Sequence, residues 1–145
     1  MEKIKISRAL LLMMLSVLLI QACKKDDPQT EADKIRSLLI AGEWSLQTAI
    51  VDQVDQTSLY QGLILSFTTT SFTSVNGGVV WPSNGSWEFK DESGEAIIRG
   101  DGLEIVIATI DESTLEISFT LVEGSLGEAR QSSVAGNHVF TFTHN

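Results

Sequence analysis

The stretch that decides the fold reads Thr114-Leu115-Glu116-Ile117-Ser118-Phe119-Thr120-Leu121. Large apolar side chains occupy every second position, and polar side chains occupy the positions between them. Successive side chains of a strand point to opposite faces, so this alternation predicts a β-strand with one buried face.

The same period of two recurs on both sides of this stretch and predicts an all-β domain. Aromatic or branched apolar residues recur with a period of two, mostly with polar residues between them, at 44–50, 63–67, 86–90, 103–107 and 140–143. Turn-forming residues separate these runs, namely Asn76-Gly77-Gly78, Pro82-Ser83-Asn84-Gly85, Asp91-Glu92-Ser93-Gly94, Asp101-Gly102 and Asp111-Glu112-Ser113-Thr114. We therefore predict about eight short antiparallel strands in an up-and-down meander, closed as a barrel or folded as a two-sheet sandwich. Residues 123–137 carry little pattern and are predicted to form the longest loop.

One short helix is predicted to precede the strands. Thr30 and Asp33 have the spacing of a capping start, and the apolar residues of the segment then recur at helical spacing, at Ile35, Leu38 and Leu39. Gly42 is placed to end the helix. We expect the apolar side of this helix to pack onto the β domain.

The first 22 residues have the pattern of a secretory signal peptide. Three basic residues and one acidic residue open the chain, and a mostly apolar run of 12 residues extends from Ala9 to Ile20. This run is shorter than the roughly 17–25 residues of a permanent membrane-spanning helix. We therefore predict that residues 1–22 are removed.

Cys23 is the only cysteine, which excludes an intramolecular disulfide. The sequence Ile20-Gln21-Ala22-Cys23 resembles the bacterial lipobox, which implies cleavage before Cys23 and lipid on its thiol. The alternative is a simple signal peptide followed by an incidental cysteine. Cys23-Lys24-Lys25-Asp26-Asp27 is similar to the start of Bacteroidota-type lipoproteins, which implies an outer-membrane lipoprotein exposed at the cell surface. Residues 23–32 are then a tether and residues 33–145 the folded domain.

The charge of the chain excludes some classes of partner. The chain has 10 basic and 19 acidic residues and a net charge of −9. Nucleic-acid binding needs a cationic stripe, and adsorption to anionic lipid needs basic residues near the surface. We expect neither nucleic acid nor direct lipid contact by the domain, which would reach the membrane only through the lipid on Cys23.

Gly42-Glu43-Trp44, directly after the predicted helix, resembles the Gly-x-Trp motif of lipocalins. A terminal strand such as residues 139–142 is also typical of lipocalin-like domains in small Bacteroidota lipoproteins, and the similarity covers about residues 35–145. It implies an eight-stranded barrel with Trp44 packed across its closed end. It also implies non-catalytic binding of a small apolar ligand or of a partner at the surface.

Catalytic and metal-binding patterns are weak. His138 and His144 flank the last predicted strand six residues apart, too far to share one metal ion, and we expect them at strand ends near solvent. The acid pairs Asp52/Asp55, Asp91/Glu92 and Asp111/Glu112 fall in predicted turns, where such side chains cap the backbone. No Gly-x-Ser-x-Gly elbow occurs in the sequence. We predict no enzyme, no metal and no cofactor.

Three aromatic residues are the candidate ligand-binding residues. Trp81 precedes Pro82 at a predicted hairpin and is expected to be exposed at a barrel mouth, where Tyr60 and Phe72 could line a cavity with it. A barrel of this size can also be filled by its own side chains. In that case the protein would be a structural or interaction lipoprotein of the cell envelope, without a ligand.

Overall fold

The computed structural model describes residues 28–122 and 134–145 of the 145-residue chain. These residues form one α-helix, α1 (Glu31–Leu39), a 3₁₀ turn (Thr57–Tyr60) and nine strands. The strands are β1 (Glu43–Val51), β2 (Val54–Asp55), β3 (Ile64–Phe67), β4 (Ser71–Val75), β5 (Asn84–Phe89), β6 (Ala96–Arg99), β7 (Glu104–Ile110), β8 (Thr114–Leu121) and β9 (Gly136–His144).

Eight of the strands close into an antiparallel barrel. Each of β3 to β8 pairs with the next strand along the chain, and β1 pairs with both β3 and β9. The two-residue strand β2 extends the sheet beside the end of β1. The prediction of an all-β meander with one short helix is confirmed, as a closed barrel rather than a sandwich. Closure leaves few free strand edges.

The alternating strands place their apolar residues inside the barrel. In β8, Leu115, Ile117, Phe119 and Leu121 are buried, and β9 contributes Phe140 and Phe142. The strand β6 was not predicted from the sequence. Three of its four residues are buried, so it lacks the alternation of apolar and polar residues that marked the other strands.

One predicted turn is wrong. Asn84 and Gly85 begin β5 and pair with Thr73 and Phe72 of β4. A Cβ atom on Gly85 would lie 2.7 Å from the Phe72 ring, so the glycine allows close packing there rather than a turn.

Helix α1 closes one end of the barrel. Thr30 caps it as predicted, through a reciprocal pair of hydrogen bonds with Asp33. The carbonyl of Leu39 accepts a hydrogen bond of 3.0 Å from Nε1 of Trp44, which is fully buried. The predicted role of Gly42 is wrong, because the helix ends through Ile40 in a right-handed conformation. A Cβ atom on Gly42 would instead lie 2.6 Å from Nε2 of His144.

The two ends of the barrel differ in what covers them. At the closed end, α1 lies near the turns at 68–70, 90–95 and 111–113, and Ala32 donates a backbone hydrogen bond to Glu92. At the open end lie the turn at 52–53, the loop at 76–83 and the turn at 100–103. The connection from β8 to β9 also leaves from the open end.

Several predictions fall outside the described residues. These are the signal peptide, the lipidated Cys23, the first half of the tether (residues 23–27) and residues 123–133 of the predicted loop. The last two residues of that loop, Gly136 and Asn137, belong to β9. Among the described residues, no helix combines the length and apolarity needed to cross a membrane.

Candidate functional site

The wall of the barrel opens between β7 and β8 at the open end. Their pairing runs from Ile110↔Leu115 to Val106↔Ser118, although β7 begins at Glu104 and β8 continues to Leu121. On its other side, β8 stays paired with β9 as far as Leu121↔Gly136. A groove of about 480 Å³ occupies this opening, and its apolar lining is Leu103, Val106, Phe119, Leu121 and Val122. The rest of its lining is Arg99, Asp101, Gly102, Glu104, Ser118, Thr120 and Asn137. Small-molecule sites are typically concave, with apolar side chains and a few polar groups, so this groove is the candidate site.

An ion pair between a buried arginine and a partly exposed aspartate borders the groove. The guanidinium of Arg99, only 2% exposed, binds both carboxylate oxygens of Asp101, with Nε 2.9 Å from Oδ1 and Nη2 2.6 Å from Oδ2. Nη1 of Arg99 donates to the carbonyl of Val80 at 2.8 Å. These hydrogen bonds from Arg99 are the main cause of the lowered pKa of Asp101. The bidentate pair fixes the turn at 100–103 to the loop at 76–83.

The same ion pair borders a second, smaller groove. This groove has a volume of about 220 Å³ and is lined by Phe72, Gly85, Arg99 and Asp101, among others. Arg99 and Asp101 therefore separate two recesses at the open end, and because each partner neutralises the other, the pair leaves no net charge there.

The structure brings two of the three predicted ligand-binding residues together. Phe72 and Trp81 meet edge to face, with ring centroids 5.6 Å apart. Tyr60 packs instead against Phe140, at 4.9 Å, and burial raises the pKa of its hydroxyl. All three residues lie at or near the open end, but they do not form one cluster of three rings.

The predicted exposure of Trp81 is wrong. Its side chain is 2% exposed, and the Arg99 guanidinium lies 5.2 Å from its ring centre. The loop at 76–83 folds inward, because the Trp81 amide donates to the carbonyl of Gly77 and Oγ of Ser74 donates to the carbonyl of Trp81. Gly77 has no room for a Cβ atom, which would meet the Trp81 carbonyl.

His138 is a site residue that the sequence did not reveal. It was expected near solvent, yet it is fully buried. The barrel wall continues beyond it, through the pairs Thr120↔Asn137 and Leu121↔Gly136. Its ring stacks on Phe119, with centroids 4.9 Å apart and planes 8° from parallel. His138 and His144 lie at opposite ends of β9, as predicted.

The hydrogen bonding of His138 fixes its chemical form. Burial lowers the pKa of the imidazole, which favours the neutral form. Nδ1 lies 3.1 Å from the carbonyl of Gly136, which can only accept, so Nδ1 carries the proton of the neutral ring. Nε2 is then an acceptor.

Two buried nitrogen atoms at the open end have no hydrogen-bond partner among the described residues. They are Nε1 of Trp81 and Nε2 of His138. Both rings contact Phe119, the Trp81 ring edge to face at 6.0 Å. Two similar atoms, Nε of Arg36 and Nε2 of His144, lie at the closed end. None of the four residues lines either groove itself, but Trp81 and His138 both contact Phe119, which does.

The acid pairs act as turn caps, as predicted. Asp55, Asp91 and Asp111 each accept a hydrogen bond from the backbone N–H two residues later. Hydrogen bonds from the side chain and backbone of Thr57 and of Ser93 lower the pKa of Asp55 and Asp91, and bonds from the backbone and side chain of Ser113 lower the pKa of Asp111. In the described part of the chain, no group of three His, Cys, Asp or Glu side chains could hold a metal ion.

Comparisons with known proteins add no further information. The chain matches no family model, no curated protein and no solved structure. The resemblance to lipocalin-like lipoproteins therefore stays a prediction.

Proposed function

We propose that this protein is a lipid-anchored, non-catalytic binding protein of the outer membrane, and that its barrel takes up a small apolar ligand. The groove between the separated ends of β7 and β8 carries the proposal. A complete β-barrel wall would leave ligands no lateral access to the interior, and here the wall opens where apolar side chains line the gap.

The residues lining the groove suit an apolar ligand. Phe119 and Leu121 lie on the buried face of β8 and line the groove from inside the barrel. Val106, 41% exposed, lies on the outer side of β7. A ligand in the groove would thus contact both the outside and the interior of the barrel.

Native mass spectrometry tests uptake of a ligand. The full-length protein, purified from its own cells, is expected to carry an additional small mass that denaturation removes. Val106→Trp should fill the groove and reduce this occupancy. Val75→Trp is the matched control, because Val75 is also exposed, at 56%, but does not line the groove. Repeated isolation of ligand-free protein would count against the proposal.

The anchor is proposed from the sequence Ile20-Gln21-Ala22-Cys23. One acyl chain binds membranes only marginally, whereas two or more hold stably. We expect Cys23→Ser to move most of the protein from the membrane to the soluble fraction, while the tether variant Gln29→Ser stays membrane-bound. Continued membrane retention of Cys23→Ser would contradict lipidation.

Exposure at the cell surface is proposed from the Cys-Lys-Lys-Asp-Asp start. Replacing residues 24–27 by alanine should leave the anchor intact but protect the protein from protease added to whole cells. Equal digestion of both forms would remove the support for a surface-export signal.

A structural role in the cell envelope is the second candidate. The filled interior favours it, since Trp44, Leu115, Phe140 and Phe142 are completely buried. This role predicts a ligand-free barrel that co-purifies with an envelope protein. The mass measurement therefore separates the two candidates.

A further inference from the structure

Two buried polar atoms at the open end point to the chemistry of the ligand. Nε1 of Trp81 and Nε2 of His138 belong to side chains 2% and 0% exposed, and neither has a partner among the described residues. Buried polar atoms are normally hydrogen-bonded, because losing water without a replacement costs free energy.

The two atoms have complementary roles. The indole nitrogen of Trp81 is only a donor. Nε2 of His138 is an acceptor, because Nδ1 of the same ring donates to the carbonyl of Gly136. A hydroxyl or a primary amide both accepts and donates, so it offers the two roles that these atoms lack.

The surroundings favour an uncharged group. Arg99 lies over the Trp81 ring, but its charge is already paired with Asp101. A carboxylate at His138 would face the lone pair of Nε2, and burial opposes a charged group of either sign. The carboxylate that acts on His138 is that of Asp52, which already accepts a hydrogen bond of 2.9 Å from the Asn137 amide.

Phe119 connects these atoms with the groove. Its ring contacts both Trp81 and His138, and the same residue lines the opening between β7 and β8. Neither Trp81 nor His138 lines the groove itself, so Phe119 is the side chain that links them to it.

We propose that the ligand is an uncharged apolar molecule with a hydroxyl or primary amide group, which accepts from Nε1 of Trp81 and donates to Nε2 of His138. This inference rests on the proposed function and adds the class of ligand. Entry occurs past Phe119, from the groove.

Three six-carbon probes that differ only in their polar group test the inference. Binding of 1-hexanol, hexanoate and hexylamine to the full-length protein in lipid nanodiscs is measured by calorimetry, with empty nanodiscs as the blank. We expect 1-hexanol to bind at least about tenfold more tightly than either charged probe, the difference expected for one hydrogen-bonded polar contact.

Matched variants locate the contact. Trp81→Phe and His138→Phe each keep an aromatic ring but remove one hydrogen-bonding atom, and each should weaken 1-hexanol binding about tenfold. Trp87→Phe is the control, because the indole of Trp87 is bonded to the carbonyls of Thr68 and Ser71 at the closed end. The affinity of the Trp87→Phe variant for 1-hexanol should equal that of the wild type.

The outcomes separate this inference from the proposed function. Tighter binding of hexanoate or hexylamine, or unchanged hexanol binding in both open-end variants, would overturn the hydroxyl contact, as would a lack of binding by all three probes. If native mass spectrometry still finds a bound ligand in those cases, the proposed function stands and only its ligand class is wrong. Ligand-free protein that binds no probe overturns both.

Discussion

The two ends of this barrel bury their tryptophan side chains in different ways. At the closed end, the indole N–H groups of Trp44 and Trp87 donate to backbone carbonyls at 3.0 Å. At the open end, the indole N–H of Trp81 has no acceptor among the described residues. Helix α1 covers the closed end, whereas β7 and β8 separate at the open end.

The difference indicates which end is built for stability and which for binding. A hydrogen bond that is completed within the chain adds to the stability of the fold, whereas a buried donor without a partner costs free energy. Sites that bind ligands often retain such unfavourable features, because the ligand compensates for them. The closed end carries a similar cost at Nε of Arg36 and Nε2 of His144, so it is the groove, together with this cost, that marks the open end for binding.

The largest expected effect compares Trp44→Phe with Trp81→Phe. Trp44→Phe leaves the buried carbonyl of Leu39 without its 3.0 Å hydrogen bond and also removes packing. We expect it to lower the free energy of unfolding by about 2–4 kcal/mol. Trp81→Phe loses packing but removes an unpartnered donor, so we expect a loss of about 1 kcal/mol or less. Urea denaturation of both variants measures the difference.

Trp44→Phe and Trp81→Phe control for each other, because both delete the same side-chain atoms, one at each end of the barrel. Equal losses would show that Nε1 of Trp81 is hydrogen-bonded in the folded protein. The contrast between the two ends would then be wrong.

A smaller effect is expected at the ion pair of the open end. Asp101→Asn leaves the buried guanidinium of Arg99 without its charged partner. Breaking a fully buried pair costs about 3–5 kcal/mol, but the Asp101 side chain is 43% exposed. Solvent screening reduces the effect, and we expect a loss of about 1–2 kcal/mol at pH 7.

The pH dependence checks this assignment. The pKa of Asp101 is lower in the folded protein than in the unfolded chain. Its contribution is therefore present above the unfolded pKa and is lost as the pH falls through the folded pKa. The difference in the free energy of unfolding between the wild type and Asp101→Asn should therefore decrease as the pH falls. A deficit that is constant from pH 7 down to pH 2 would rule out the ion pair as its cause.

The sequence predicted the closed end better than the open end, for a physical reason. The capping of α1 by Thr30 and Asp33 depends on residues close in sequence, and such patterns can be read directly. The alternation in β8 likewise gave the buried face of that strand. Buried faces and turn types together predicted an all-β meander.

The open end depends on contacts between residues far apart in sequence. Arg99 binds Val80, 19 residues earlier, and nothing local marks that partner. One pattern in the sequence does indicate that Arg99 is buried and paired. Arg99 lies two residues after buried Ile97, on the same face of β6, and Asp101 lies two residues further on. The separation of β7 from β8 has no local signature, since both strands keep their alternation through the gap.

The smallest expected effect concerns the helix that covers the closed end. Thr30→Ala removes the side-chain acceptor for the Asp33 amide, at 3.1 Å. The loss of such a cap costs typically about 1 kcal/mol, and Thr30→Ser should restore most of it because serine caps as well as threonine. Hydrogen exchange should show faster opening of α1 in Thr30→Ala, with the amides of β8 and β9 unchanged. Faster exchange in those strands as well would mean that α1 and the barrel unfold as one unit. The closed end would then be part of the cooperative core rather than a separable cover, and the contrast with the open end would extend to the whole barrel.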